Sequence, residues 1–299
     1  MQINYFFGSD SRSIPAYEAL RNAATTNPSI NKNLKVVSLN NIDRVRGKDR
    51  PNDFVTYCIQ NNINYTFYNA EDTYKDLEIG FVCSFGKIFT REFLSRNNIT
   101  NPTKQKESKL INLHLSILPD LKGPSPIEHS ILYSYTHTGI TLFEIDEHID
   151  SGKIVWQKEF SISPESYASD LYTIAFQKFN DFISNEDINN TFDVDSNNFI
   201  NQGRIKKTYK IGDCDLLLDN VDVDTAKRRI RAFNVIGPTK YTYKEIQLKV
   251  HTYEENLEGI DIQLGDSKLT LGMITPPGRN KMNSLDWLRG RKWLNQQAY

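Results

Sequence analysis

The amino-acid sequence predicts an α/β protein: an open, mainly parallel sheet followed by a small all-β module. Three observations carry this. Short apolar runs alternate with helix-like segments as far as residue 145. The runs end in polar or glycine-bearing turns such as Gly8-Ser9-Asp10 and Phe85-Gly86. After residue 240 the pattern changes to alternation of apolar and polar residues. Strand–helix alternation builds parallel sheets, whereas clustered alternating segments build antiparallel sheets or barrels.

Residues 2–7 read as the first strand, and Gly8-Ser9-Asp10 as the turn after it. A helix then starts near Ser13, taken as its cap, with Pro15 in the first turn. Residues 34–39 form a second strand, followed by a charged segment over 43–51. A helix near 53–61, a short strand at 65–67 and a buried strand at 79–84 come next. After the Phe85-Gly86 turn a helix is expected near 90–95, then a strand at 110–114. A helix over 126–133 and a strand over 140–145 complete the alternation, with a further helix over 166–185. Residues 185–203, rich in Asn, Asp and Ser, read as a linker between a domain at 1–184 and another at 204–299. The second has a short basic helix at 226–233 and alternating segments at 241–252, 259–264 and 268–274, which point to a small β-barrel.

The 299 residues leave room for two domains, and 38% hydrophobic with 24% charged residues is an ordinary globular balance. No apolar run approaches the roughly 18–20 residues of a membrane span. Cys58, Cys83 and Cys214 give neither a zinc pattern nor a disulfide framework, which favours a reducing compartment. No histidine has convincing metal-ligand spacing, so no metal is expected. The chain opens directly on strand-like residues with no Arg-rich presequence, so any targeting peptide is missing, removed or not included. Its formal net charge of −1 is uneven. Residues 1–203 hold 19 Lys and Arg against 25 Asp and Glu, and residues 204–299 hold 17 against 12. A basic C-terminal module suits a polyanionic partner, although a chance surplus on a solvated surface gives the same count.

The most informative segment is Leu110-Ile111-Asn112-Leu113-His114-Leu115-Ser116-Ile117-Leu118-Pro119. Asn112 and His114 are two apart, so on a strand both project from one face. Asp150-Ser151-Gly152 follows the strand over 140–145. An amide, an imidazole and a carboxylate at strand ends can pass an activated acyl group to an amine. Taken singly, each has an ordinary reading: a turn asparagine, a satisfied buried histidine and a turn aspartate. Together, at the carboxyl ends of strands where open α/β sheets place their sites, they favour catalysis.

At these residues the chain resembles the methionyl-tRNA formyltransferase family. Asn112, His114 and Asp150 match its catalytic Asn, His and Asp; Ser116-Ile117-Leu118-Pro119 stands where that family has Ser-Leu-Leu-Pro, and Gly139-Ile140-Thr141 matches a strand start. Similarity continues through Thr208-Tyr209-Lys210-Ile211, Ile230-Arg231-Ala232-Phe233-Asn234, Pro277-Gly278-Arg279-Asn280-Lys281-Met282 and Asp286-Trp287-Leu288-Arg289-Gly290. The resemblance implies a Rossmann-like formyltransferase domain and an OB-like C-terminal barrel. It implies 10-formyltetrahydrofolate as co-substrate, initiator methionyl-tRNA as partner, and formylation of the methionine amine for translation initiation. The folate is then expected against Phe85, Gly86, Lys87 and Ile88, the Ser116, Ile117, Leu118 and Pro119 turn, and Asp146 and His148. Arg44, Arg46, Lys48 and Arg50 are expected in the loop gripping the tRNA acceptor end, with Arg228, Arg231, Arg279 and Lys281 as candidate phosphate contacts.

Two departures stand out. Lys122 replaces the usual Arg before Gly123, keeping charge but losing the bidentate fork. The stretch 97–109 is longer than in compact bacterial relatives and is assigned no role. The composition and the Gly8-Ser9-Asp10 variant point to a mitochondrial matrix enzyme, with bacterial cytoplasm as the alternative, and a monomer is the default. Two other functions remain open: folate-dependent formylation of a small amine such as a nucleotide-linked amino sugar, and RNA binding without catalysis.

Overall fold

A computed structural model of the chain describes residues 1–45, 48–99, 108–185, 188, 205–214, 216–255 and 258–296, the side chains of 43–48, 213 and 292–296 aside. The chain divides into two compact units: Met1–Gly123, Gly139–Phe160 and Ile174–Lys207 form one, and Pro124–Thr138, Ser161–Thr173 and Thr208–Tyr299 the other.

Unit 1 is organised by a seven-stranded sheet. Its strands are β1 (Ile3–Phe7), β2 (Ile30–Ser38), β5 (Tyr65–Phe67), β6 (Ile79–Val82), β7 (Lys109–His114), β8 (His137–Glu144) and β9 (Ile154–Ser161), in the order β5-β2-β1-β6-β7-β8-β9. The pairs from β5 to β7 are parallel and β7–β8 is antiparallel. The mainly parallel, Rossmann-like sheet expected from the sequence is therefore present. β1 shows why its sequence is almost continuously apolar: a central parallel strand is covered on both faces. Phe6 meets Tyr17, Phe54 and Phe81, while Tyr5 and Phe7 on the other face meet Tyr74. Phe81 lies between Phe6 and Phe179, the latter on helix α5 (Ala168–Asn185).

Helices α1 (Ser13–Ala23), α2 (Asp53–Gln60) and α3 (Arg91–Arg96) complete the alternation. Asn52 and Thr90 cap α2 and α3 through their side-chain oxygens. Ser13 does not cap α1. Its buried hydroxyl accepts from Ser9 N–H (3.1 Å) and donates to Cys83 C=O (2.8 Å), a tertiary role that local spacing cannot reveal. The charged segment read as a loop is a β-hairpin, β3 (Ile42–Val45) with β4 (Lys48–Pro51). Its backbone register sets residue 43 opposite Arg50 and residue 44 opposite Asp49. β9 has no counterpart among the expected strands, because its residues mix polar and apolar types without a clean period. Residues 189–203, most of the expected linker, and 100–107, most of the long polar stretch, lie outside the described residues.

The chain runs from β1 outward to β2 and β5, then returns to β6 on the other side of β1. That reversal is the topological switch point, where the carboxyl ends of two neighbouring strands part. Here Ser9 Oγ donates to Phe85 C=O (2.7 Å) and Ser84 Oγ donates to Asp10 (2.7 Å), clamping the turn after β6 to the turn after β1.

Unit 2 contains helices α4 (Pro126–Leu132), α6 (Val223–Ala232) and α7 (Ser284–Gln296). Its strands β10 (Thr239–Tyr243), β11 (Ile246–Val250), β15 (Met273–Thr275) and β16 (Met282–Asn283) make one sheet. Strands β12 (Tyr253–Glu254), β14 (Ser267–Leu271) and β13 (Ile260–Leu264) make another. Ile260, Ile262, Leu264, Leu269 and Leu271 point into one core, with Trp287 and Leu288 packed against it. The two small antiparallel sheets fit the expected barrel-like module. Also in unit 2, His129 donates from Nδ1 to Ser125 C=O (2.8 Å) and accepts at Nε2 from Tyr209 N–H (3.1 Å). That pattern requires the neutral ring, and burial holds its pKa below the ordinary value.

Two outcomes are expected. Phe81→Ala should lower unfolding free energy by about 3–5 kcal/mol in urea titrations. Because His129 has a lowered pKa in the folded state, the unfolded chain takes up its proton first as pH drops below 6.5. Stability should therefore fall with acidification through that range, and less steeply in His129→Gln, by urea titration at several pH values.

Candidate active site

The side chains that the sequence singles out for chemistry sit at the carboxyl end of β7 and on the loop after β8. Asn112 pairs with Val82 of β6 and Phe143 of β8, and His114 ends β7 opposite Thr141. Both project from the face that carries Leu110. Leu110 is buried in the core with Tyr5, Phe7, Val82 and Phe85, so this face continues the inner face of the sheet beyond its core. Asn112 is partly exposed, and among the described residues no hydrogen bond engages its amide.

His114 is buried, and one ring nitrogen, Nε2, is 3.0 Å from the Leu121 carbonyl. A carbonyl only accepts, so Nε2 carries a proton. The other nitrogen, Nδ1, faces Asp150 Oδ2 at 3.7 Å, beyond a direct hydrogen bond. The same Asp150 oxygen accepts from Gly123 N–H at 2.8 Å. One turn thus holds both partners, the imidazole through the Leu121 carbonyl and the carboxylate through the Gly123 amide.

Two backbone features fix Asp150. Its φ of 47° is left-handed, a region that Asp and Asn tolerate better than most residues. Two residues on, a Cβ at Gly152 would fall 1.7 Å from the Glu144 carbonyl oxygen, so the loop can close against the end of β8 only with glycine there.

Ser116, Ile117 and Leu118 are buried and belong to the support of the turn. Thr141 Oγ1 donates to Ser116 C=O (2.7 Å) and accepts from Leu118 N–H (3.1 Å). Gln157 donates to Leu118 C=O at 2.8 Å. Pro119 alone of the four is exposed. Phe85 is buried in the aromatic cluster with Phe7, Tyr68 and Phe89, whereas Gly86, Lys87 and Ile88 are exposed at the mouth of the switch point. Asp146 shapes its own loop by accepting from His148 N–H (2.8 Å), and His148 is exposed. Arg91 pairs with Glu147 at 2.9 Å, tying the start of α3 to that loop. The sequence offers no signal for Leu121 or Gln157, and it marks Thr141 and Gly123 only as matches to a strand start and to the residue after Lys122, with no supporting role assigned.

The basic residues divide between the units. Arg50 is exposed and paired with Asp53 at 2.7 Å; Arg46 and the side chains of Arg44 and Lys48 lie outside the described residues. In unit 2, Arg279 and Lys281 are exposed, and Arg228 donates to Thr225 at 3.1 Å within α6. Arg231 is half-buried, with Nε enclosed and close to Tyr253 and Tyr167. Among the described residues no cluster of His, Cys, Asp or Glu is arranged to hold a metal, and no helix is long and apolar enough to cross a membrane. Cys83 is buried, which pushes its thiol pKa up and removes it as a nucleophile.

The Asn, His and Asp singled out from the sequence stand at the carboxyl edge of a Rossmann-like sheet, and residues 69–182, which contain all three, match the formyl transferase family. Methionyl-tRNA formyltransferase of Leptospira interrogans is 28% identical over 97% of both chains, and that of Corynebacterium efficiens is 29% identical over 73% of this chain and 71% of its own. The chain is an enzyme of formyl transfer, and over these spans it is similar to methionyl-tRNA formyltransferases. Among solved structures, the N-formyltransferase of Helicobacter canadensis, in complex with folinic acid and dTDP-3-aminofucose, shares its fold: TM-score 0.58, 20% identity, 95% of this chain and 99% of that one.

Gly152→Ala tests the loop geometry. The added methyl forces the loop off β8 and moves Asp150 away from His114, so formyl transfer measured at saturating substrates should fall about a hundredfold.

Proposed function

We propose that the protein transfers the formyl group of 10-formyltetrahydrofolate to the α-amine of initiator methionyl-tRNA. The observation that carries this is the His114–Asp150 pair held by one turn, with the unengaged Asn112 amide on the same strand face. As the amine attacks the formyl carbon, charge develops on the formyl oxygen, and the Asn112 amide donates to it. His114, in its protonated form, stabilises the same charge electrostatically, and Asp150 accepts the proton the amine must shed, directly or through a water. The bond from the formyl carbon to N10 of the folate then breaks, and the departing nitrogen takes up a proton. The folate is assigned to exposed Gly86, Lys87 and Ile88, to Pro119 over its buried supports, and to the Asp146–His148 loop.

The initiator tRNA is assigned to Arg44, Arg46, Lys48 and Arg50 and to the basic C-terminal residues Arg228, Arg231, Arg279 and Lys281. Support comes from the two relatives' names and from the excess of basic residues beyond 204. Catalysis is accordingly assigned to residues 1–184, which also carry the basic loop over 44–50, and the C-terminal share of RNA binding to 204–299. The bacterial relatives support a bacterial cytoplasm over the mitochondrial matrix. A second reading, formylation of a nucleotide-linked amino sugar, is favoured by the extent of the fold shared with the Helicobacter canadensis protein.

Labelled 10-formyltetrahydrofolate mixed with charged initiator tRNA, charged elongator methionine tRNA and a dTDP-amino sugar separates the readings. Label is expected on initiator methionyl-tRNA; label on the sugar alone establishes the second reading. Asn112→Ala should lower kcat about 10²–10³-fold with little change in folate KM, as loss of one oxyanion donor does.

A further inference from the structure

Residues 120–122 are fastened from outside by the segment that follows the undescribed stretch. Asp120, 3% exposed, accepts at Oδ1 from Lys206 N–H (2.8 Å). In return Leu121 N–H donates to Lys206 C=O (3.0 Å), and Lys122 bridges in parallel to Lys207. Asp120 is also knotted into the preceding turn. Its carbonyl accepts from Ser116 Oγ (2.7 Å) and its N–H donates to Ile117 C=O (3.1 Å). The residue after it, Leu121, is held at a φ of 55°, a left-handed conformation that a leucine keeps only when its surroundings over-determine it. That residue's carbonyl is the one on His114 Nε2.

We propose that Asp120, acting with the backbone of Lys206, is a positioning residue for the transfer reaction. Its carboxylate locks Leu121 in the left-handed conformation, and the Leu121 carbonyl in turn fixes the tautomer and direction of the His114 ring. Without the clasp Leu121 relaxes toward an ordinary φ and its carbonyl swings away. His114 then loses the acceptor that keeps a proton on Nε2, and Nδ1 no longer faces Asp150. Asp120 touches no reacting atom; it acts through Leu121. The assignment rests on the proposed role of His114 in formyl transfer.

Two variants and one control test it. Asp120→Ala removes the carboxylate, and Lys206→Pro, at an exposed position, removes the N–H that it accepts. Both should lower kcat about ten- to a hundredfold, with folate KM within about twofold of wild type. Long-range ¹H–¹⁵N spectra of histidine-labelled protein should show the His114 ring, assigned through His114→Gln, with its proton on Nε2 in wild type and mixed between nitrogens in both variants. Asp120→Asn keeps an acceptor at Oδ1 and should restore rate and spectrum. If Asp120→Ala does not fold, Lys206→Pro decides. Wild-type kcat with an unchanged His114 spectrum overturns the proposal. So does a rate loss shared with a rise in KM while the ring signals stay put, since that marks a general structural role. If wild-type protein formylates none of the amines offered, the function proposed above fails, and the ring spectra still decide the clasp.

Discussion

Between Leu121 and Gly123 the main chain supplies an acceptor to one side chain and a donor to the other. The Leu121 carbonyl faces the imidazole of His114, and the Gly123 amide faces the carboxylate of Asp150. Neither side chain is set by its own strand or loop alone. Hydrogen bonds in a water-poor setting are strong and directional, so a backbone shift of a few tenths of an ångström in this turn moves both groups together. The rest of unit 1 can be understood as support for that turn: Thr141 and Gln157 saturate the backbone on one flank, and Lys206 does so on the other.

The sheet supplies what the turn cannot, a rigid frame with an opening at a known place. The reversal of strand order between β1 and β6 parts their carboxyl ends, and Ser9, Asp10 and Ser84 hold the lips of that opening in register. Arg91 and Glu147 connect the segment after β6 with the loop that carries Asp150. Loops doing chemistry on a stiff scaffold is a general division of labour in α/β proteins. Here each loop is cross-linked to a neighbour by side chains of ordinary polarity, which keeps polar backbone near the site satisfied.

Much of this was legible in the sequence, and the exceptions share a cause. β1 and β5 lie where bounded apolar runs place them, and Asn112 and His114 share a face because side chains alternate along a strand. Side-chain spacing speaks for side chains only. The Leu121 carbonyl and the Gly123 amide are backbone groups, present at almost every position, and leave no trace in composition. A serine before an apolar run usually caps a helix, whereas the tertiary partner of Ser13, Cys83, is seventy residues away. The β3–β4 hairpin was hidden by its charges, and Gln157 by a strand whose pattern has no clean period.

The left-handed backbone at Asp150 has a bearing on how this protein's relatives should be judged. Few residues sit comfortably there, and asparagine is the one that matches aspartate in both shape and conformational tolerance. A descendant that exchanged one for the other would keep its outline and its packing yet lose the carboxylate. Under the role proposed for Asp150, such a copy would lose its proton acceptor behind an intact silhouette, so activity is better judged from the identity of that single side chain.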